Sequence, residues 1–277
     1  MLNTLKRAFI IPWLILCALA AVYGLYELAF SQEFRLAAVG VMLATVPSLV
    51  FVIRLARTRV GRARPWLSAE LLLALGGAAL ASFYGALTHQ IFAIGVGLLG
   101  LILYVFWYSK LGRTAGSHLA IGSQLPPVRL RSIDGSYYTP TQAGSPSVLM
   151  FVRGNWCPLC VAQISEIADN YRKIVACGAK VFIIAAQSQQ QSKELAERFN
   201  VPLIFCTDKK HAVARELGLL HEGGVPLGAS AYSANTHYPT SIVTDETGKI
   251  IYSDQTNNYR ARPEPQLILD ALASRNR

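Results

Sequence analysis

The chain has 277 residues, enough for two modest domains; 52% of them are hydrophobic and the mean hydropathy is positive. The formal net charge is +10, but residues 1–113 hold ten Lys/Arg against three acids, so +7 belongs to that apolar half and +3 to the rest. This distribution excludes a nucleic-acid-binding reading, which wants a basic face on a soluble domain, and fits basic loops flanking membrane segments.

Four charge-free apolar runs come first: Phe9–Tyr26, Leu36–Ile53, Leu71–Leu87 and Ile91–Tyr108, each of 17 or 18 residues. That length is at the short end of what a bilayer core requires, and the expectation is about four transmembrane helices over residues 1–113. Trp13, Tyr26, Phe30, Trp66, Trp107 and Tyr108 sit near run ends, where interfacial aromatics belong. Lys6 and Arg7 precede the first run, five arginines separate the second from the third, and Lys110 and Arg113 follow the fourth. All three basic segments fall on one side of such a bundle. The positive-inside rule then predicts a multi-pass cell-membrane protein whose N-terminus and soluble domain are cytoplasmic. Ala18-Leu19-Ala20 after Lys6 and Arg7 also resembles a signal-peptide cleavage site; cleavage would remove one span and leave the orientation of the others. The role expected of the spans is anchorage in the lipid bilayer.

Residues 114–118 read as a linker to a domain over 119–277. Val128 to Arg131 alternates like a strand, Asp134-Gly135 marks a turn, and Tyr137-Tyr138 lies on the return strand. Val148 to Val152 reads as a buried strand and Val161 to Cys177 as one amphipathic helix stopped by Gly178. Lys180 to Ala186 is a second buried strand, followed by a helix (190–199), a strand (201–205) and a helix (210–217). Residues 219–237 read as a long surface loop near the site, and a hairpin and a helix from Pro263 to Ser274 close the chain. Alternating strands and helices with a terminal hairpin predict an α/β domain with a mixed central sheet flanked by helices.

The chemistry centres on Arg153-Gly154-Asn155-Trp156-Cys157-Pro158-Leu159-Cys160. Two cysteines three apart at a helix start form a redox arrangement, because unpaired N–H groups and the helix dipole favour a thiolate at Cys157. Cys160, one turn further in, is placed to resolve a mixed disulfide. Pro158 is tolerated in the first turn, where its missing N–H would be unpaired anyway. Half a zinc site is the competing reading of C-x-x-C, but Cys17, Cys177 and Cys206 are isolated and no two histidines lie within five residues, so no metal is expected. His118, His211, His221 and His237 are expected to be solvated or capping residues.

Gly122 with Pro126-Pro127-Val128-Arg129-Leu130 and Asp134-Gly135 resembles the opening of the peroxiredoxin branch of the thioredoxin superfamily, the alkyl hydroperoxide reductase/thiol-specific antioxidant type. Arg153-Gly154-x-Trp156-Cys157-Pro158-x-Cys160 and Asn258-Tyr259-Arg260-x-Arg262-Pro263 are similar to a C-x-x-C subgroup of that branch, and Tyr238-Pro239-Thr240 matches the position of the superfamily's cis-proline. The likeness spans about residues 119 to 274. It implies a thioredoxin-like fold with Cys157 and Cys160 catalytic and Arg153, Trp156, Pro158, Pro239 and Arg262 in support. Two departures stand out. The hydroxyl that helps peroxiredoxins hold peroxide is replaced by Gly154, with Met150 at the accompanying proline position, and Phe151 stands where thioredoxins place a buried Asp.

These readings predict a membrane-anchored thiol–disulfide oxidoreductase acting on a protein disulfide, with no cofactor and with a thioredoxin-like dithiol protein as reductant. One alternative is a thiol peroxidase reducing peroxides through Cys157. Another is a non-catalytic membrane adaptor using the 219–237 loop as its contact surface.

Overall fold

The computed structural model describes residues 2–142, 144–229 and 231–275. It comprises two compact units, Met1–Arg57 with Arg64–Lys110, and Thr58–Ala63 with Leu111–Arg277.

The first unit is helical: α1 (Leu2–Phe30), α2 (Arg35–Ala56), α3 (Ser68–Tyr84), and a run from Leu87 to Tyr108. That run consists of α4 (Leu87–Gln90), π-helical Ile91–Leu99, α5 (Gly100–Leu103) and π-helical Tyr104–Tyr108. Among the described residues three helices are long and apolar enough to cross a membrane: Asn3–Phe30, Arg35–Ala56 and Leu87–Tyr108. The expectation of about four such helices is therefore corrected to three. The third apolar run forms only the 17 residues of α3, because Gly85 is extended (φ −117°, ψ 157°) and ends the helix before the run does. At 1.5 Å per residue α3 spans roughly 26 Å, short of the ~30 Å hydrocarbon core. Side chains with little volume let α2 and α3 approach closely. A Cβ on Gly77 would collide with the Gly40 carbonyl and lie 2.8 Å from the Ala44 nitrogen. Ala20, Val41, Ala44, Ala81 and Ala93 form the buried cluster at this packing centre.

The second unit is α/β. In order it contains β1 (Leu130–Ser132), β2 (Tyr137–Tyr138), β3 (Ser147–Val152), α6 (Pro158–Asp169), α7 (Tyr171–Ala176), β4 (Lys180–Ala185) and α8 (Gln189–Ala196). Then follow β5 (Ile204–Thr207), α9 (Ala212–Glu216), β6 (Leu220–His221), β7 (Thr236–His237), β8 (Thr240–Thr244), β9 (Ile250–Asp254) and α10 (Pro265–Ser274). The seven-stranded sheet runs β2-β1-β5-β4-β3-β8-β9, with β3–β4 and β4–β5 parallel and the other neighbours antiparallel. All six residues of β3 are buried. A continuous apolar run of that kind is what a central strand covered on both faces requires. Leu149 and Phe151 of β3 meet Phe182 and Ile184 of β4 and Ile242 of β8 in the core. The mixed sheet agrees with the sequence reading, and Gly178 (φ +76°) follows α7 in the left-handed conformation anticipated for it.

Three local expectations need correction. The helix read over 161–177 is two helices, because Asn170 leaves the helical region (φ −99°, ψ 5°) and its side-chain amide donates to the Glu166 carbonyl at 2.9 Å. The strand read from Val201 begins at Ile204, since Pro202 has no N–H to give a ladder. The supposed surface loop 219–237 begins and ends in a two-stranded sheet: β6 and β7 pair antiparallel, and His221, Thr236 and His237 are buried.

The α2–α3 contact yields a paired test. Gly77→Ala is expected to destabilise the helical unit by about 1–3 kcal/mol through overpacking. Gly76→Ala, whose Cβ would meet nothing within 4 Å, should leave it unchanged or gain up to ~1 kcal/mol in helix propensity. Thermal unfolding of the two full-length variants in detergent distinguishes these outcomes.

Candidate redox site

The site is built at the junction of β3 and α6. Gly154 makes the turn with φ +135°, a conformation that side-chain-bearing residues avoid, and an added Cβ would lie 2.8 Å from Trp156 Nε1. Cys157 is the N-cap residue of α6 (φ −95°, ψ 107°), and its carbonyl accepts the Cys160 and Val161 amides at 3.0 and 3.1 Å. Pro158 occupies the first turn, as its chemistry demands. Both cysteines are buried, Cys157 at 3% exposure and Cys160 at 0%.

Two arginines converge on the pair. The Arg153 amide donates to Cys160 Sγ at 3.4 Å, and Arg262 Nη2 donates to the same sulfur at 3.7 Å. Arg153 places its guanidinium 4.7 Å from the Trp156 ring centroid and 5.4 Å from that of Tyr259, and it donates to the Gly224 carbonyl at 2.5 Å. Arg262 is held by its Nε donating to the Tyr259 carbonyl at 3.0 Å. Behind it, burial raises the Asp254 carboxyl despite the opposing charges of Arg262 and Arg113.

The resting charge differs from the sequence expectation. Burial opposes ionisation of Cys160, but the hydrogen bond from Cys157, the Arg262 guanidinium and the Arg153 amide outweigh it and bring that thiol down to about 5. For Cys157, donation of its proton to Cys160, reinforced by burial, holds the thiol well above the ordinary range. The helix dipole does favour a thiolate at Cys157, yet direct donors and a full positive charge beside Cys160 are stronger. Donors and positive charge around the reduced pair thus favour the thiolate on Cys160 over Cys157.

Arg153, Trp156, Cys157, Pro158, Cys160 and Arg262 are therefore brought together. Pro239 precedes β8, whose Thr240 pairs with Phe151 near the end of β3; its carbonyl accepts from Arg113 Nη2 at 3.4 Å, and Arg113 Nη1 donates to Thr240 Oγ1 at 2.8 Å. No cis peptide occurs among the described residues, so the expected cis bond before Pro239 is corrected to trans, the intrinsically preferred isomer. The sequence reading missed Tyr259, Asn155 and Tyr232. Asn155 donates its amide to Gln187 Oε1 at 2.9 Å, and Tyr232 donates to Asn155 Oδ1. Only their adjacency to the cysteine motif or to Arg262 marked Asn155 and Tyr259; Tyr232 carried no local signal. Among the described residues no three His, Cys, Asp or Glu side chains cluster to hold a metal ion.

Beside this turn lies a cavity of about 630 Å³ whose lining includes Gln187, Asp208, Lys210, His211 and Tyr232. Lys210 and His211 both take positive φ (59° and 57°), an unusual backbone for two successive non-glycine residues. His211 and His237 are buried rather than solvated, as is His221, which corrects the expectation for all three. His237 Nε2 lies 3.0 Å from Asp208 Oδ2, and the same carboxylate accepts the Val213 and Ala214 amides at 3.0 and 2.9 Å. Burial alone would raise the Asp208 carboxyl. The His237 bond and charge, with those two amides, hold it below its usual value of 3.8 instead. A depressed carboxyl contributes stability above the unfolded-state value and loses it as pH falls through the folded-state value. Domain stability is therefore expected to drop as pH falls below about 4, and less steeply in Asp208→Ala, which should itself cost about 3 kcal/mol at neutral pH. Denaturant unfolding at pH 7 and pH 3 measures both.

Residues 121–253 match the model described as AhpC/TSA family. No curated protein matches the sequence at a comparable threshold. Solved structures that resemble the chain include peroxidoxin BcpB from Mycobacterium tuberculosis (18% identity, 57% of this chain and 98% of that one, TM-score 0.47). Reduced Prx3 from Vibrio vulnificus gives 18% identity, 56% and 98% coverage and a TM-score of 0.48. A peroxiredoxin-like protein from Aquifex aeolicus gives 16% identity, 57% and 89% coverage and a TM-score of 0.47. Within the second unit, residues 121–253 are thus similar to the AhpC/TSA family, and three helices long and apolar enough to cross a membrane come before them in sequence.

Proposed function

We propose that the protein is a membrane-anchored thiol peroxidase that reduces peroxides through Cys157 and closes a Cys157–Cys160 disulfide. The observation that carries this reading is a buried cysteine pair whose Cys160 sulfur accepts from the Arg153 amide and the Arg262 guanidinium, inside residues that match the AhpC/TSA family. Cys157, the N-cap sulfur, attacks the terminal oxygen of the peroxide while its proton passes to Cys160. The O–O bond breaks, and the leaving alkoxide or hydroxide takes up a proton from solvent. Cys157 is then a sulfenic acid. The Cys160 sulfur attacks it, the S–O bond breaks, and water leaves with the two sulfurs joined. One peroxide has gained two electrons and the dithiol has lost two; an external dithiol restores the pair by exchange. Arg153 and Arg262 supply positive charge where the leaving oxygen becomes negative.

Dithiol–disulfide exchange is the second reading, and one observation favours it. Position 154 must be glycine for the turn, so no hydroxyl stands there to hold a peroxide. In either case the membrane is the site of action, and the basic loops argue for the domain on the cytoplasmic side.

Reduced full-length protein in detergent, given equimolar hydrogen peroxide or a small disulfide, decides between them. The expected result is rapid loss of two thiols per peroxide, abolished in Cys157→Ser. In Cys160→Ser the oxidised Cys157 should persist as a sulfenic acid that a dimedone-type reagent traps. Thiol loss with the disulfide alone would overturn the peroxidase reading, and loss with neither would leave a non-catalytic adaptor.

A further inference from the structure

The segment Thr58–Ala63 follows α2 and precedes α3 in sequence, yet it belongs to the compact unit that carries the redox site. It lies outside the residues that match the AhpC/TSA family, as does the Asn258–Pro263 stretch bearing Arg262. Its contacts are specific. The Gly61 amide donates to Glu166 Oε2 at 3.1 Å, and Arg62 Nη1 donates to Glu166 Oε1 at 3.0 Å. Arg62 Nε pairs with Glu264 Oε1 at 3.2 Å, and the Ala63 amide donates to the Arg260 carbonyl at 3.0 Å. Gly61 itself sits on the backbone of α6: a Cβ there would lie 2.7 Å from the Gln163 Cα and 2.9 Å from its nitrogen.

These bonds join two elements. Gln163 and Glu166 lie on α6, three and six residues after Cys160, while Arg260 and Glu264 flank Arg262. Arg262 reaches Cys160 from the second element across 3.7 Å, so the spacing between the two elements sets how strongly its charge acts on the sulfur.

We propose that segment 58–63 is a positioning part of the redox site, with Arg62 clamping α6 to the Arg260–Glu264 stretch and so holding the Arg262 guanidinium against Cys160. Gly61 permits the close seat and Arg62 closes it. A six-residue stretch far upstream of the cysteines thereby sets their reactivity, and a fragment beginning after residue 110 lacks it. The claim concerns the sulfur pair alone and holds whichever oxidant the protein uses.

The test is the pH profile of alkylation of the reduced full-length protein in detergent, with peptide mapping to read Cys157 and Cys160. The charged groups facing the pair are Arg153 at the end of β3 and Arg262 itself, with Asp254 of β9 and Arg113 behind Arg262; all are left intact. Arg62→Ala is expected to move the profile upward by about one pH unit, slowing alkylation at pH 6 about tenfold. Arg62→Lys, which keeps the charge beside both glutamates, should recover part of that loss. Arg59→Ala removes an equal charge from an exposed residue of the same segment and should leave the profile unchanged. An unshifted profile in Arg62→Ala overturns the proposal, and so does an equal shift in Arg59→Ala, which would make the effect one of net charge. If Arg62→Ala does not fold, Glu264→Gln releases only the more exposed half of the clamp; a smaller shift of the same sign supports the proposal and no shift overturns it.

Discussion

Burying a negative charge is the constraint on which the redox site depends. A thiolate removed from water needs compensating charge and donors, or it takes up a proton. Here the compensation is an arginine side chain, a backbone amide and the proton of a second thiol, all aimed at Cys160. Each donor needs its own support. The Arg153 amide points at the sulfur because Gly154 turns the chain immediately after β3, and the Arg153 guanidinium is parked between Trp156 and Tyr259. Arg262 is tied by its Nε to the Tyr259 carbonyl. The aromatic residues around the site thus serve chiefly to orient cations.

This arrangement divides two duties between the cysteines. The donors favour charge on Cys160, while Cys157, at the N-cap, is pushed towards keeping its proton. In the proposed reaction Cys157 carries its proton until attack, and Cys160, one helical turn away, is placed to receive it. The rest of the domain supplies rigidity: β3 is buried along its whole length and pairs with β4 on one side and β8 on the other, so the turn at Arg153–Cys157 springs from the stiffest part of the sheet.

Local chemistry made much of this legible in the sequence. The unbroken apolar runs of β3 and β4, the Asp134-Gly135 turn and Gly178 at a helix end each carry their signal within a few residues. So does Pro158 beside two cysteines. What stayed hidden was decided by partners far away in the chain. Asp208 and His237 are 29 residues apart, and nothing near either announces a buried pair. The arginines of the 58–63 segment read as a topology signal, whereas Arg62 makes ion pairs with Glu166 and Glu264. The helix break at Asn170 was invisible because the apolar pattern continues through it. The short third helix was missed because the apolar run outlasts the helical backbone at Gly85.

The central claim is that the reduced pair holds one negative charge. Thiolate absorbance near 240 nm, followed against pH in the reduced full-length protein and in a Cys157→Ser/Cys160→Ser control, measures it directly. The account predicts one thiolate per chain already formed at pH 7, absent from the control and lost when the pair is oxidised. It also predicts that the second thiolate appears only well above the ordinary cysteine value of about 8.5. A pair that stays fully protonated until pH 8 or higher, or that yields both thiolates together, would contradict it.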